Sequence, residues 1–121
     1  MADVLIIEDD PDIREDLAEL LRARGYTVAT ASNGREALEG LRDGNHPRVI
    51  LLDLMMPIMN GWDFRTHMLQ DAGLAGIPVV LLSGAADVQQ HAAALHAADF
   101  MTKPIKLDRL YATIACYCPT A

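Results

Sequence analysis

The chain has 121 residues, of which 51% are apolar and 22% charged, and ten basic against seventeen acidic residues leave a net charge of −7. That is the length of one domain and too much apolar content for a disordered chain, and roughly two thirds of the unfolded surface can be buried without a disulfide or metal to help. The acidic balance argues against nucleic acid or an anionic membrane surface as the main partner, since both demand a basic face. No apolar run approaches the ~18 residues of a membrane span, and Met1 to Val4 shows neither a basic stretch nor a cleavage site for export. The expectation is a single soluble domain over residues 1–121, cytoplasmic, with no nucleic-acid or membrane partner.

In chain order, Val4 to Ile7 is a buried-strand run. A helix follows from Pro11 to Arg24, with Ile13, Leu17, Leu20 and Leu21 on one face, Asp10 as its cap and Gly25 as its stop. Thr27 to Ala31 is a second strand. Asn33 caps a helix that carries Ala37, Leu38 and Leu41 and ends at Asp43, Gly44 and Asn45. Val49 to Leu52 is a third strand, continuous in its hydrophobicity and so covered on both faces. A loop from Leu54 to Gly61 leads into a helix near Trp62 to Leu69. Pro78 opens a fourth strand, Val79 to Leu82, closed by Ser83 and Gly84. Asp87 caps an alanine-rich helix reaching His96, Asp99 to Thr102 is a fifth strand, and Leu107 to Tyr117 the last helix. Cys116 and Cys118 have no further metal ligand nearby and read as small apolar residues. His46, His67, His91 and His96 show no metal-ligand spacing.

Strict β/α alternation calls for an α/β fold with a parallel sheet and helices on both faces. Ligands of such sheets bind beyond the carboxyl ends of the strands. Glu8, Asp9 and Asp10 follow strand one, Asp53 strand three, Ser83 and Gly84 strand four, and Lys103 and Pro104 strand five. Each alone has a plain reading, as helix cap, strand terminator, turn or surface lysine. Together they would converge on one edge if the strands lay in the order 2-1-3-4-5. Carboxylates of Glu8, Asp9 and Asp53 crowded there repel one another unless a cation intervenes. A hard divalent ion such as Mg²⁺ accepts oxygen ligands of this kind, a lysine and a hydroxyl opposite it would clamp a phosphoryl group, and a carboxylate in the clamp can act as the nucleophile.

The stretches Leu5 to Arg14, Val49 to Pro57, Gly61, Val80 to Gly84 and Asp99 to Pro104 resemble the receiver domain of two-component response regulators along essentially the whole chain. The resemblance implies the flavodoxin-like receiver fold, a five-stranded parallel sheet in the order 2-1-3-4-5. It implies a phosphorylation-dependent switch, with Asp53 as phosphoacceptor and the donor a histidine kinase or histidine phosphotransfer protein. By motif position Asp9 is the direct Mg²⁺ ligand and Glu8 the ligand through water. The Met55 carbonyl completes the protein ligands with Asp53. Ser83 is the switch hydroxyl, Lys103 the cation that pairs with the phosphoryl group, and Phe100 the switch aromatic. A cis Lys103–Pro104 peptide is also implied.

The sequence departs from the commonest family pattern at three places: Glu8 replaces an aspartate, Phe100 lacks a phenolic hydroxyl, and His96 stands where glycine is frequent. The alternatives are a Mg²⁺-dependent aspartyl-phosphate phosphohydrolase and a pseudo-receiver that only binds. The hydrolase commonly carries an acid two residues after the nucleophile, where this chain has Met55; the pseudo-receiver is disfavoured by Asp9, Asp53, Ser83 and Lys103 occurring together. No glycine-rich nucleotide motif occurs. The chain reads as a signalling domain that catalyses only its own phosphorylation and dephosphorylation. Met55 and Ala85 offer no polar atom to orient an attacking water, so the phosphorylated form is expected to decay slowly. The fourth helix lacks Lys and Arg, so a monomer or weak dimer presenting an apolar face to a protein target is expected. The sequence leaves open whether the domain stands alone or belongs to a longer chain.

Overall fold

The computed structural model describes residues 2–44, 46–56, 58–84 and 88–119. Strands β1 (Val4–Ile7), β2 (Val28–Ala31), β3 (Val49–Asp53), β4 (Val79–Ser83) and β5 (Asp99–Thr102) alternate with helices α1 (Pro11–Ala23), α2 (Gly34–Arg42), α3 (Gly61–Leu69), α4 (Val88–Ala94) and α5 (Leu107–Tyr117). All strand pairings are parallel, and the sheet order is β2-β1-β3-β4-β5. The expected elements are all present, with ends moved by a residue or two. The last turn of the fourth helix is shorter than expected, because α4 stops at Ala94 rather than His96. Asn45, Pro57, Ala85 and Asp87, which the sequence reading used as a helix end, a motif position, a site flank and a cap, lie outside the described residues.

The central strands are entirely buried, and their side chains alternate between two cores. Leu5, Ile7, Ile50, Leu52, Val79 and Leu81 face α2, α3 and α4 together with Leu38, Leu41, Phe64 and Met68. Val4, Ile6, Val49, Leu51, Val80 and Leu82 face α1 and α5 with Leu17, Leu21, Leu110 and Ile114. Period-two alternation between two apolar layers explains why the strand runs are uninterrupted by polar residues. Each fully buried Leu or Ile contributes about 1.5–3 kcal/mol. Cys118 joins the second core while Cys116 is exposed, so only one of the two cysteines behaves as a small apolar residue.

The helix ends follow local chemistry. The Asp10 carboxylate accepts from the N–H groups of Asp12 at 2.9 Å and Ile13 at 3.3 Å, with Pro11 in the first turn. Asn33 and Asn60 cap α2 and α3 through bonds to Glu36 N and Asp63 N, both 2.9 Å. At the end of α4, His96 N–H donates to Ala93 O and Ala97 N–H to Ala92 O, while His96 adopts φ +54°. This is a Schellman ending, whose left-handed residue is usually glycine; it gives a structural reason why a glycine would suit position 96. The Lys103–Pro104 peptide is cis, as expected.

Candidate functional site

Because every strand runs the same way, the carboxyl ends of β1, β3, β4 and β5 open onto one edge of the sheet. Asp53 is the last residue of β3, paired in register with Leu82, and Ser83 is the last of β4, paired with Thr102. Lys103 follows β5 directly, and its N–H donates to Ser83 O at 2.9 Å. Glu8 extends β1, its N–H donating to Ala31 O, and its own carbonyl accepts from Arg14 Nη1 at 3.0 Å. Glu8, Asp9, Asp10, Ile13, Asp53, Met55, Ser83, Gly84 and Lys103 line a single depression at this edge.

Within it, Glu8, Asp9 and Asp53 each offer a carboxylate oxygen, and these atoms lie within 4.8 Å of one another. Glu8 (1% exposed) and Asp53 (4%) are buried while Asp9 is exposed. Lys103 Nζ lies 3.2 Å from Glu8 Oε2, 3.3 Å from Glu8 Oε1 and 3.6 Å from Asp53 Oδ1. The Met55 N–H donates to Asp53 Oδ1 at 3.3 Å. One ammonium thus serves two buried carboxylates, and negative charge is left in excess. Burial first, then repulsion from Glu8, push the Asp53 carboxyl from its ordinary 3.8 to about 7; a hydrogen bond with the Asp9 side chain adds to this, while Lys103 and the Met55 N–H pull the other way. Hard oxygen donors, clustered and under-compensated, fit a small divalent cation.

The close approach of α3 to the site depends on glycine. Gly61 N–H donates to Leu54 O at 3.0 Å, and a Cβ at Gly61 would fall 2.8 Å from Leu54 Cα and 2.9 Å from Asp53 O. Phe100 is half-buried in β5, opposite Leu81, and packs on the α2–α4 core. Its carbonyl accepts from Arg109 Nη2 at 2.9 Å. Ser83 is buried at the site, and Met55 is an exposed thioether beside it. The structure therefore brings together Glu8, Asp9, Asp53, Met55, Ser83 and Lys103, and places Phe100 two residue pairs back from the terminal Ser83–Thr102 pair.

Sequence reasoning passed over Arg65. It sits on α3, is only 4% exposed, and donates from Nε to Leu95 O at 2.9 Å and from Nη2 to His96 O at 3.0 Å. Burial lowers its pKa. The available signal was its spacing: Arg65 lies three residues from both Trp62 and Met68, on the inward stripe of α3.

The description "Response regulator receiver domain" matches residues 4–115 of the chain. The DNA-binding response regulator MtrA of Mycolicibacterium smegmatis is 34% identical over 113 residues, which are 92% of this chain and 48% of that protein. The transcriptional regulatory protein PrrA of Mycobacterium tuberculosis is 36% identical over 113 residues, 92% of this chain and 47% of its own. This chain thus spans about half the length of the curated relatives it matches. Among solved structures, chemotaxis response regulator CheY4 of Vibrio cholerae superposes with a TM-score of 0.86 at 29% identity, covering 97% of this chain and 98% of that one. The receiver domain of NtrX from Brucella abortus gives 0.85 at 28% identity, with 98% and 100% covered. Sequence, sheet order and the acidic edge agree, and the chain belongs to the response regulator receiver domain family.

Proposed function

We propose that Asp53 accepts a phosphoryl group from a phosphohistidine donor, a histidine kinase or histidine phosphotransfer protein, and that the domain signals by the change that follows. The observation that carries this reading is the buried Asp53 carboxylate grouped with Glu8, Asp9 and Lys103 at one sheet edge. An Asp53 oxygen attacks phosphorus, the phosphorus–nitrogen bond breaks, and the histidine nitrogen leaves with the electron pair and takes up a proton from solvent. Lys103, already 3.6 Å from Asp53, neutralises the incoming phosphoryl oxygens. Ser83, buried at the end of β4, supplies a hydroxyl to the phosphorylated group and carries the change toward α4; Phe100 is the aromatic that responds.

The donor set fits Mg²⁺, with Asp9 and Asp53 as direct carboxylate ligands, the Met55 carbonyl beside them and Glu8 acting through water. When bound, the ion supplies positive charge that offsets the carboxylates and the phosphoryl oxygens. Glu8, with both oxygens on Lys103, then holds the lysine in place. The phosphohydrolase reading lacks an acid at Met55, whose side chain is 70% exposed and apolar. Any loss of phosphate is accordingly the slow hydrolysis of Asp53's own acyl phosphate.

The proposal extends to a single domain over residues 1–121, cytoplasmic, monomeric or weakly dimeric, and handing its signal to a protein target. The relatives named as DNA-binding are about twice as long, and the net charge of −7 argues that this receiver portion itself does not meet nucleic acid. Among the described residues, no helix is long and apolar enough to cross a membrane. Labelling from acetyl phosphate tests the central assignment: Asp53→Asn abolishes it, and Asp9→Asn lowers it through weaker Mg²⁺ binding. Full, stable labelling of Asp53→Asn would overturn the assignment.

A further inference from the structure

We infer that Arg65 is a positioning residue for the phosphorylation response: its buried guanidinium fastens the joint between α4 and β5, so that, within α4, the backbone movement started at Ser83 stays in the N-terminal part. The inference rests on the reading of Asp53 as phosphoacceptor, and takes its geometry from contacts outside the acidic site.

A helix leaves its last carbonyls without intrahelical partners. In α4 the Schellman ending satisfies Ala92 O and Ala93 O through the N–H groups of Ala97 and His96. Beyond Ala94, the carbonyls of Leu95 and His96 accept from Arg65 Nε and Nη2 at 2.9 and 3.0 Å. The third nitrogen, Nη1, lies 3.5 Å from the Met68 sulfur, also buried. Among the described residues no carboxylate forms an ion pair with Arg65, so the carbonyl dipoles at the negative end of α4 are what stabilise its charge. A second contact lies one turn back on each helix: the Trp62 ring meets His91 edge-on, with centroids 5.2 Å apart. Arg65 and Trp62 are three residues apart on the same face of α3.

The chain path gives this clamp its consequence. Ser83 leads through Gly84 into α4 at Val88, and α4 leads through Leu95 and His96 into β5 and Lys103. The joint that Arg65 holds stands between the hydroxyl and the ammonium proposed to grip the phosphoryl group. A helix of seven residues has little stability of its own, so its position is set by its ends and its packing. With the C-terminal end bonded to a buried guanidinium, displacement at Ser83 tilts α4 about Leu95 and His96, and β5 keeps Lys103 aimed at the site.

Amide hydrogen exchange of the whole chain, with Mg²⁺ and with or without beryllofluoride as the phosphoryl mimic, tests this. In the wild type, beryllofluoride changes exchange at residues 88–91 and leaves Leu95, His96 and Ala97 unchanged. In Arg65→Met the Leu95–Ala97 amides exchange about tenfold faster without any mimic, a local opening, and the beryllofluoride-induced change now spreads from residue 88 to residue 97. A merely structural arginine would give the faster exchange and a lower melting temperature, but would not move the boundary of the response. Should Arg65→Met fail to fold, Arg65→Lys, which keeps the charge but cannot bond both carbonyls in one plane, shows the same spread in smaller degree. Equal wild-type changes at both ends of α4, or an unmoved boundary in the folded variant, would overturn the inference. Failure of beryllofluoride to bind at Asp53 would instead overturn the phosphoacceptor reading and, with it, the response this inference describes, whereas the bonds themselves are judged by Leu95–Ala97 exchange without the mimic.

Discussion

Replacing Asp53 by its neutral isostere should stabilise the metal-free protein, and by an amount that depends on pH. Asp53 is almost fully buried, beside Glu8, and its carboxyl is displaced from 3.8 to about 7. The folded state therefore holds the Asp53 proton more tightly than the unfolded chain does. Stability is fully present below about pH 4 and is lost as pH rises through the window from 3.8 to about 7. The full displacement corresponds to about 4 kcal/mol above the window, and the portion reached at about pH 5 is about 2 kcal/mol. Urea unfolding of wild type and Asp53→Asn in chelator, at about pH 4, 5 and 8.5, gives the gap directly. The Asn protein should gain on the wild type by these amounts as pH rises, whatever constant offset its own hydrogen bonds add. Mg²⁺ at ~100 times its Kd should return about 2.7 kcal/mol to the wild type and much less to Asp53→Asn. A gap that stays constant with pH, or one that widens toward low pH, would refute the electrostatic reasoning, and superimposable melts with and without Mg²⁺ would count against the metal site.

Three further substitutions draw their expected outcomes from backbone geometry. His96→Gly should raise stability by about 1 kcal/mol, because a side chain at φ +54° carries a penalty that glycine lacks; Ile58→Gly, at φ +66° and exposed, should do the same. Thermal melts that show no rise for either would mean that their surroundings compensate the strain. Gly61→Ala should cost about 1–3 kcal/mol through overpacking and slow acetyl-phosphate labelling, since the new methyl collides with the Asp53 carbonyl; wild-type melting together with wild-type labelling would show that the close approach is dispensable.

What the sequence determined by itself was everything governed by short range. Apolar period separated the strands from the helices, Asp10 and Asn33 announced helix starts, and Gly25 at φ +93° ended α1. A parallel β/α alternation then sends every strand's carboxyl end to one edge, so Glu8, Asp9, Asp53, Ser83 and Lys103 could be named as a group before any distance was known. The adjacency of those ends depends on strand order, which came by resemblance and is fixed by packing between distant segments. Only the tertiary structure decided that Lys103 bonds Glu8 across 95 residues, or that burial and Glu8 together raise the Asp53 pKa. Charge interactions act through space and strengthen as water is excluded, and neither separation nor desolvation is written in local pattern. Arg65 makes the same point from the other side. Its residue type signals a solvated surface, yet α3 packs that position against the end of α4, and the carbonyls of Leu95 and His96, by accepting from its guanidinium, make a buried cation stable there.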